Sequence, residues 1–228
     1  MRRVAARLAA LCLTVLCLAV LAGCGGPEVV RPPDPPEVRR AAAHRSGPPA
    51  QLALVTNISN TSNGGAHSAL IIAAGETVVF NPFGTWSHPA APEAGDVHYG
   101  FGPDMEAWFI DYHARETFRV QVQRVEVPMA VAAEAKRRAE ATGDVGPAGC
   151  TLAISRVLRG LPGFESFPVT LFPDRARNAF AKMPGVRSTV YVDDSPGDWS
   201  DLVGGWDGES DVRVAPQQSI AVAAPGRD

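Results

Sequence analysis

Short runs of β-branched and aromatic residues flank the tripeptide Ala73-Ala74-Gly75. His67-Ser68-Ala69-Leu70-Ile71-Ile72 precedes it and Glu76-Thr77-Val78-Val79-Phe80-Asn81 follows. Two strand-like runs joined by a short Gly-containing loop predict a β-hairpin. In a three-residue loop the last position is left-handed, and Gly75 supplies it without a Cβ clash. That register pairs Ile72 with Glu76 and, counting outward, His67 with Asn81. Strand side chains alternate, so His67, Ala69 and Ile71 share a face with Thr77, Val79 and Asn81. A His and an Asn opposed on one face can touch.

Further along, 118–127 reads as a strand, and Pro128 then opens an Ala-rich helix over 129–141 that Gly143 closes. A shorter helix is predicted over 150–159, between Gly149 and the Gly160/Pro162 stop. Its apolar positions Cys150, Ile154, Val157, Leu158 and Leu161 recur at helical spacing and form one face. Cys150 thus heads a helix, on the side turned toward the fold. A helix over 174–183 and a strand over 187–192 complete the pattern. Strands and helices in this order predict an α+β domain, an antiparallel sheet with packed helices, over 51–193.

The remaining segments differ in character. Arg2, Arg3 and Arg7 precede an apolar core from Leu8 to Val20, and small residues follow. That is the layout of a secretory signal peptide, and the run is too short and too promptly broken for a membrane span. The next four residues, Leu21-Ala22-Gly23-Cys24, resemble a bacterial lipobox. The resemblance implies that 1–23 is removed and that Cys24 carries lipid as the new first residue. Gly25 in place of an Asp then implies sorting to the outer membrane, facing the periplasm. Residues 24–50 are Pro-rich and poor in apolar side chains, which predicts an extended tether. Residues 194–228 read as an acidic, Gly-rich, flexible tail. Seven acids lie between Asp193 and Asp211 in a spacing unlike an EF-hand loop, so a solvated segment is expected.

Charge narrows the partners. The first 23 residues carry three arginines and no acid, so a net charge of −3 becomes −6 once they are removed. This excludes an electrostatic case for nucleic acid or anionic lipid. The expected membrane partner is reached through the lipid on Cys24. Of four cysteines, Cys12 and Cys17 leave with the signal, Cys24 is lipidated, and Cys150 stays without a disulfide partner. A lone thiol in an exported protein is either a buried structural residue or a reactive one.

At a helix N-terminus a thiol meets the positive end of the dipole, which favours thiolate. A neighbouring His takes its proton and a third polar group orients that His. Cys150, His67 and Asn81 supply these types, with Glu76 or Ser68 as alternatives for the third. His88, His98 and His113 lack metal-ligand spacing and are expected in loops. Neither metal nor cofactor is called for.

These stretches resemble the circularly permuted branch of the NlpC-like papain-fold superfamily, which includes relatives of lecithin retinol acyltransferase. There a His opens a strand, a polar residue follows on the next strand, and the Cys comes later at the head of a helix. The matching segments are His67-Ser68-Ala69-Leu70-Ile71-Ile72, Val79-Phe80-Asn81-Pro82-Phe83-Gly84 and Gly149-Cys150-Thr151-Leu152, within 52–161. The resemblance implies Cys150 as nucleophile, His67 as base and Asn81 as orienting residue. The implied chemistry is peptidase, amidase or acyl transfer on an amide or ester, and peptidoglycan peptide is the natural amide at that address. A non-catalytic envelope lipoprotein that binds a partner is the alternative.

Overall fold

The computed structural model describes residues 32–197 and 210–216. The expected signal peptide and the lipobox ending at Cys24 lie outside them.

The described residues form an α+β fold around one antiparallel sheet of nine strands. In chain order the elements are α1 (Pro36–Ala42), β1 (His44–Arg45), β2 (Gln51–Ser59), β3 (Gly65–Ala73), β4 (Glu76–Phe80), β5 (Glu93–Ala94) and β6 (Val97–His98). There follow α2 (Pro103–His113), β7 (Phe118–Glu126), α3 (Met129–Glu140), α4 (Cys150–Leu158), α5 (Pro173–Phe180), β8 (Arg187–Val192) and β9 (Arg213–Val214). The main path across the sheet runs β5-β6-β4-β3-β2-β7-β8-β9, and β1 pairs the far edge of β4.

Both faces of the central strands are covered. Leu52, Leu54, Leu70, Ile72, Val78 and Phe80 pack with α3, α4 and α5. Ala53, Val55, Ala69, Ile71 and Val79 pack with Trp86, Phe101 and α2 residues Trp108, Phe109 and Ile110. This is why β2 reads as an unbroken apolar run, Leu52-Ala53-Leu54-Val55, rather than an alternating one.

The predicted hairpin is β3–β4, but its register differs. Ala73 pairs with Thr77, Ile72 with Val78 and Leu70 with Phe80, so the turn is Ala74-Gly75-Glu76. Gly75 is left-handed, at φ +80. The position opposite His67 on this register lies beyond the end of β4, so Asn81 is not its direct partner; on its other side His67 pairs with Asn57 of β2. A register change of two keeps every side chain on its predicted face, because the strand period is two.

Two boundaries are corrected. Residues 32–50, expected as an extended tether, contain α1 and β1 and join the domain. Asp34 N–H donates to Glu93 O at 2.8 Å, and Arg39 bonds Tyr99 Oη at 3.2 Å while stacking over its ring. No α1 residue is buried, so polar pairing rather than apolar area fixes this segment, and composition gave no sign of it. In the expected flexible tail, β9 returns to the sheet edge, with Tyr191 opposite Val214.

Candidate functional site

Three chain segments meet at the end of the sheet where β4 has stopped. His67 sits at a bulge: Asn57 pairs with His67 and Ile58 with Gly65, leaving Ala66 as the extra residue. A bulge bends the strand and re-aims the neighbouring side chain. The start of β3 is pinned by α5, since Gly65 N–H donates to Asp174 Oδ2 at 3.0 Å. A Cβ on Gly65 would lie 2.7 Å from the Pro173 side chain, so this approach needs a glycine.

Asn81 follows β4 directly and is 1 % exposed. Its Oδ1 lies 2.8 Å from His67 Nε2. An amide oxygen only accepts, so Nε2 carries the hydrogen and Nδ1 is the ring nitrogen left for the thiol. By continuation of the register Ala69 is the residue opposite Asn81, and His67 reaches it on the diagonal. Asn81-Pro82-Phe83-Gly84 is a tight turn closed by Gly84 N–H to Asn81 O at 2.9 Å. Gly84 packs so close to the Asn81 amide that a Cβ there would overlap it.

Cys150 is the first residue of α4, preceded by Gly149. The helix head is anchored to β3 by Thr151 Oγ1, 3.1 Å from Ser68 Oγ and 3.7 Å from Cys150 Sγ. Burial raises the thiol pKa, but hydrogen bonding and charge from His67, the Ser68 backbone N–H and the Thr151 hydroxyl outweigh it, and the thiol falls to about 7. His67 moves the other way. Burial lowers its pKa, yet the bond and charge of Cys150, with Asn81 and the Asp96 carboxylate, raise it overall. Opposite shifts in adjacent groups are what a thiolate–imidazolium pair requires.

The three residues singled out for chemistry are thus brought together, and the alternatives for the third role are not. Glu76 is at the other end of β4 and pairs with Lys136 at 3.2 Å. Ser68 points its hydroxyl to Thr151 on the opposite face and offers its backbone N–H to the sulfur.

Three further residues escaped sequence reasoning. His113, expected in a loop, ends α2 and stacks on His67 with ring centres 6.1 Å apart. Its Nδ1 donates to Phe109 O at 2.7 Å, and burial together with the His67 charge pushes its pKa down to about 3, so it is neutral. Asp96 ties the two halves of the site. Its backbone oxygen accepts from Asn81 N–H at 2.8 Å, while its carboxylate accepts from Phe83 N–H and, at 2.8 Å, from Val145 N–H in the loop leading to Cys150. Gly84 is the third; only the Pro82/Gly84 turn pattern hinted at it. His98, also expected in a loop, lies buried in β6 beside Glu93, whereas His88 does lie in a loop.

A cavity of about 160 Å³ adjoins His67. A larger one, about 510 Å³, lies between α2 and the sheet and contains none of the three site residues; its Glu106 and Arg124 pair with each other. Among the described residues no cluster of His, Cys, Asp or Glu is arranged to hold a metal ion. Comparison with family models, with curated proteins and with solved structures returned no match.

Proposed function

We propose that this chain is a thiol hydrolase or acyltransferase of the permuted NlpC-like papain type, carried on an envelope lipoprotein. The observation that carries the reading is the 2.8 Å bond between His67 Nε2 and Asn81 Oδ1, with the Cys150 thiol drawn down to about 7 by the same imidazole. The chain order His67, Asn81, Cys150 on strand, strand end and helix head is that of the permuted superfamily, which supports the same reading.

The chemistry follows from the site. Cys150 thiolate attacks the carbonyl carbon of an amide or ester. The C–N or C–O bond breaks, the leaving group takes the proton held by His67, and an acyl thioester remains on Cys150. Water or another acceptor then gives a proton to His67 and takes the acyl group, and the sulfur leaves as thiolate, restoring the thiolate–imidazolium pair. Asn81 keeps the imidazole in the productive tautomer, and the first N–H groups of α4 stabilise negative charge on sulfur. The lipobox supplies the address: lipid on Cys24, the outer membrane and a periplasmic face, where peptidoglycan stem peptide is the abundant amide.

The test uses the full chain in detergent with p-nitrophenyl acetate. Wild type acquires an acetyl group on Cys150, detected by peptide mass, and turns the ester over. Cys150→Ala abolishes both; equal turnover in the variant overturns the reading. The address is checked by fractionation, with Cys24→Ala expected to leave the membrane fraction. The second reading, a binding lipoprotein with a structural thiol, is favoured by the 8 % exposure of Cys150. It predicts no acetyl adduct.

A further inference from the structure

We infer that the cavity of about 160 Å³ beside His67 is the subsite for the departing group and for the incoming acceptor, and that it takes an uncharged group. The inference rests on the thiol-chemistry reading and adds the substrate class on one side of the scissile bond.

Position comes first. The cavity is lined by His67 but by neither Cys150 nor Asn81. In acylation the carbonyl carbon is bonded to sulfur, while the departing nitrogen or oxygen must reach the proton on the imidazole. A group in contact with His67 and away from the sulfur is therefore the one that leaves, and by reversal the one that enters when the thioester is broken.

Electrostatics select the occupant. His113 lines the cavity and is held neutral. Arg115 also lines it, but its guanidinium is nearly buried and lies 3.6 Å from the Asp111 carboxylate. Among the described residues no Asp, Glu or Lys lines the cavity. A cationic group would enter without a counter-ion. An anionic group would compete with Asp111 for Arg115.

Shape sets the rest. Phe83 is 47 % exposed with φ +55, a left-handed conformation that strains a non-glycine residue. Phe83 lines the cavity together with the aromatic residues Tyr112 and Phe118 and with Asn57, His113 and Thr117, whose side chains are polar. A cavity of about 150 Å³ accepts a benzene-sized body. The occupant is thus a neutral group with a small apolar body and a hydroxyl or amide N–H, from an alcohol or from a peptide-linked residue.

The test compares aryl acetates whose phenols carry a 4-trimethylammonio or a 4-carboxylate group, each rate normalised to its hydroxide reaction, with the full chain. Thr117 is exposed at the cavity rim, so charge is tolerated there. Thr117→Asp should raise the cationic-to-anionic ratio of kcat/KM by about tenfold, and Thr117→Lys should lower it by a similar factor, the scale of one part-screened charge pair. Benzyl alcohol and glycinamide, which attacks through its neutral amine, separate the two sources as acceptors, by product mass. Cys150-dependent turnover with a ratio unmoved by either charge overturns the subsite alone. Turnover that persists in Cys150→Ala overturns the thiol-chemistry reading, and the subsite with it.

Discussion

Removing the His67 imidazole slows alkylation of Cys150 at pH 7 by about twentyfold and moves the inflection of the rate profile upward. The sign follows from the two shifts. The thiol lies at about 7 because His67 bonds to it and holds positive charge beside it, against burial, which acts to raise it. At pH 7 a thiol of that acidity is about half thiolate, whereas an ordinary thiol is only a few per cent ionised. Only thiolate reacts, so the rate follows that fraction. His67 in turn holds its proton to higher pH than an ordinary histidine, because the sulfur beside it raises its pKa. Thiolate and imidazolium therefore coexist around neutrality. In His67→Ala the burial contribution remains without its counterweight, and the inflection rises to the ordinary thiol range or beyond. Wild type and variant converge only once the pH passes the raised inflection of the variant, since both are then largely ionised. The measurement is the iodoacetamide rate from pH 5 to 10 by peptide mass. An inflection near 7 in both chains would assign the acidity to the helix head alone and remove His67 from the site. Asn81→Ala is expected between the two, because it frees the imidazole to rotate without removing it.

What could be read in the sequence, and what could not, follows from the range of the interactions. The hairpin faces were legible because they depend on the parity of a two-residue repeat. The turn slipped by one residue on each strand, from Ala73-Ala74-Gly75 to Ala74-Gly75-Glu76, and parity survived. The predicted contact between His67 and Asn81 therefore stands, though as a diagonal rather than a direct pair. The position of Cys150 was legible because flanking glycines and one apolar face define α4 locally. By contrast α2 was hidden. Its buried residues, Trp108, Phe109, Ile110 and Asp111, are consecutive and carry no helical period. His113 was lost with it, because its place beside His67 exists only once α2 is packed on the sheet. The role of Asp96 was equally invisible, as its partners Phe83 and Val145 lie on different loops and are joined through backbone N–H groups that have no sequence signature. The segment 32–50 failed for a related reason: strand pairing of β1 with β4 uses main-chain groups that any composition provides.

Gly84→Ala is expected to disable the site with one methyl group and no loss of charge. A Cβ built on Gly84 lies 1.9 Å from Asn81 Nδ2, 2.3 Å from its Cγ and 2.5 Å from its Oδ1, far inside any tolerated contact. The Gly84 backbone cannot retreat easily, since its N–H closes the turn on Asn81 O and the adjacent Phe83 N–H is held by Asp96. The Asn81 side chain must therefore swing away, and the bond from His67 Nε2 goes with it. Overpacking of this kind costs about 1–3 kcal/mol of stability, which leaves a domain of this size folded. Misplacing a catalytic group by about 1 Å costs up to a hundredfold in rate. The expected result is a turnover loss of ten- to a hundredfold, with the alkylation inflection displaced upward as in Asn81→Ala. The double variant separates mechanism from general damage. If Gly84→Ala acts by evicting the Asn81 amide, then in a chain already carrying Asn81→Ala the methyl finds vacant space. The second change then adds almost nothing, and the double variant matches Asn81→Ala in turnover, inflection and melting temperature. Losses that simply add would mean that the methyl disturbs the turn itself, and that Gly84 has no part in holding His67.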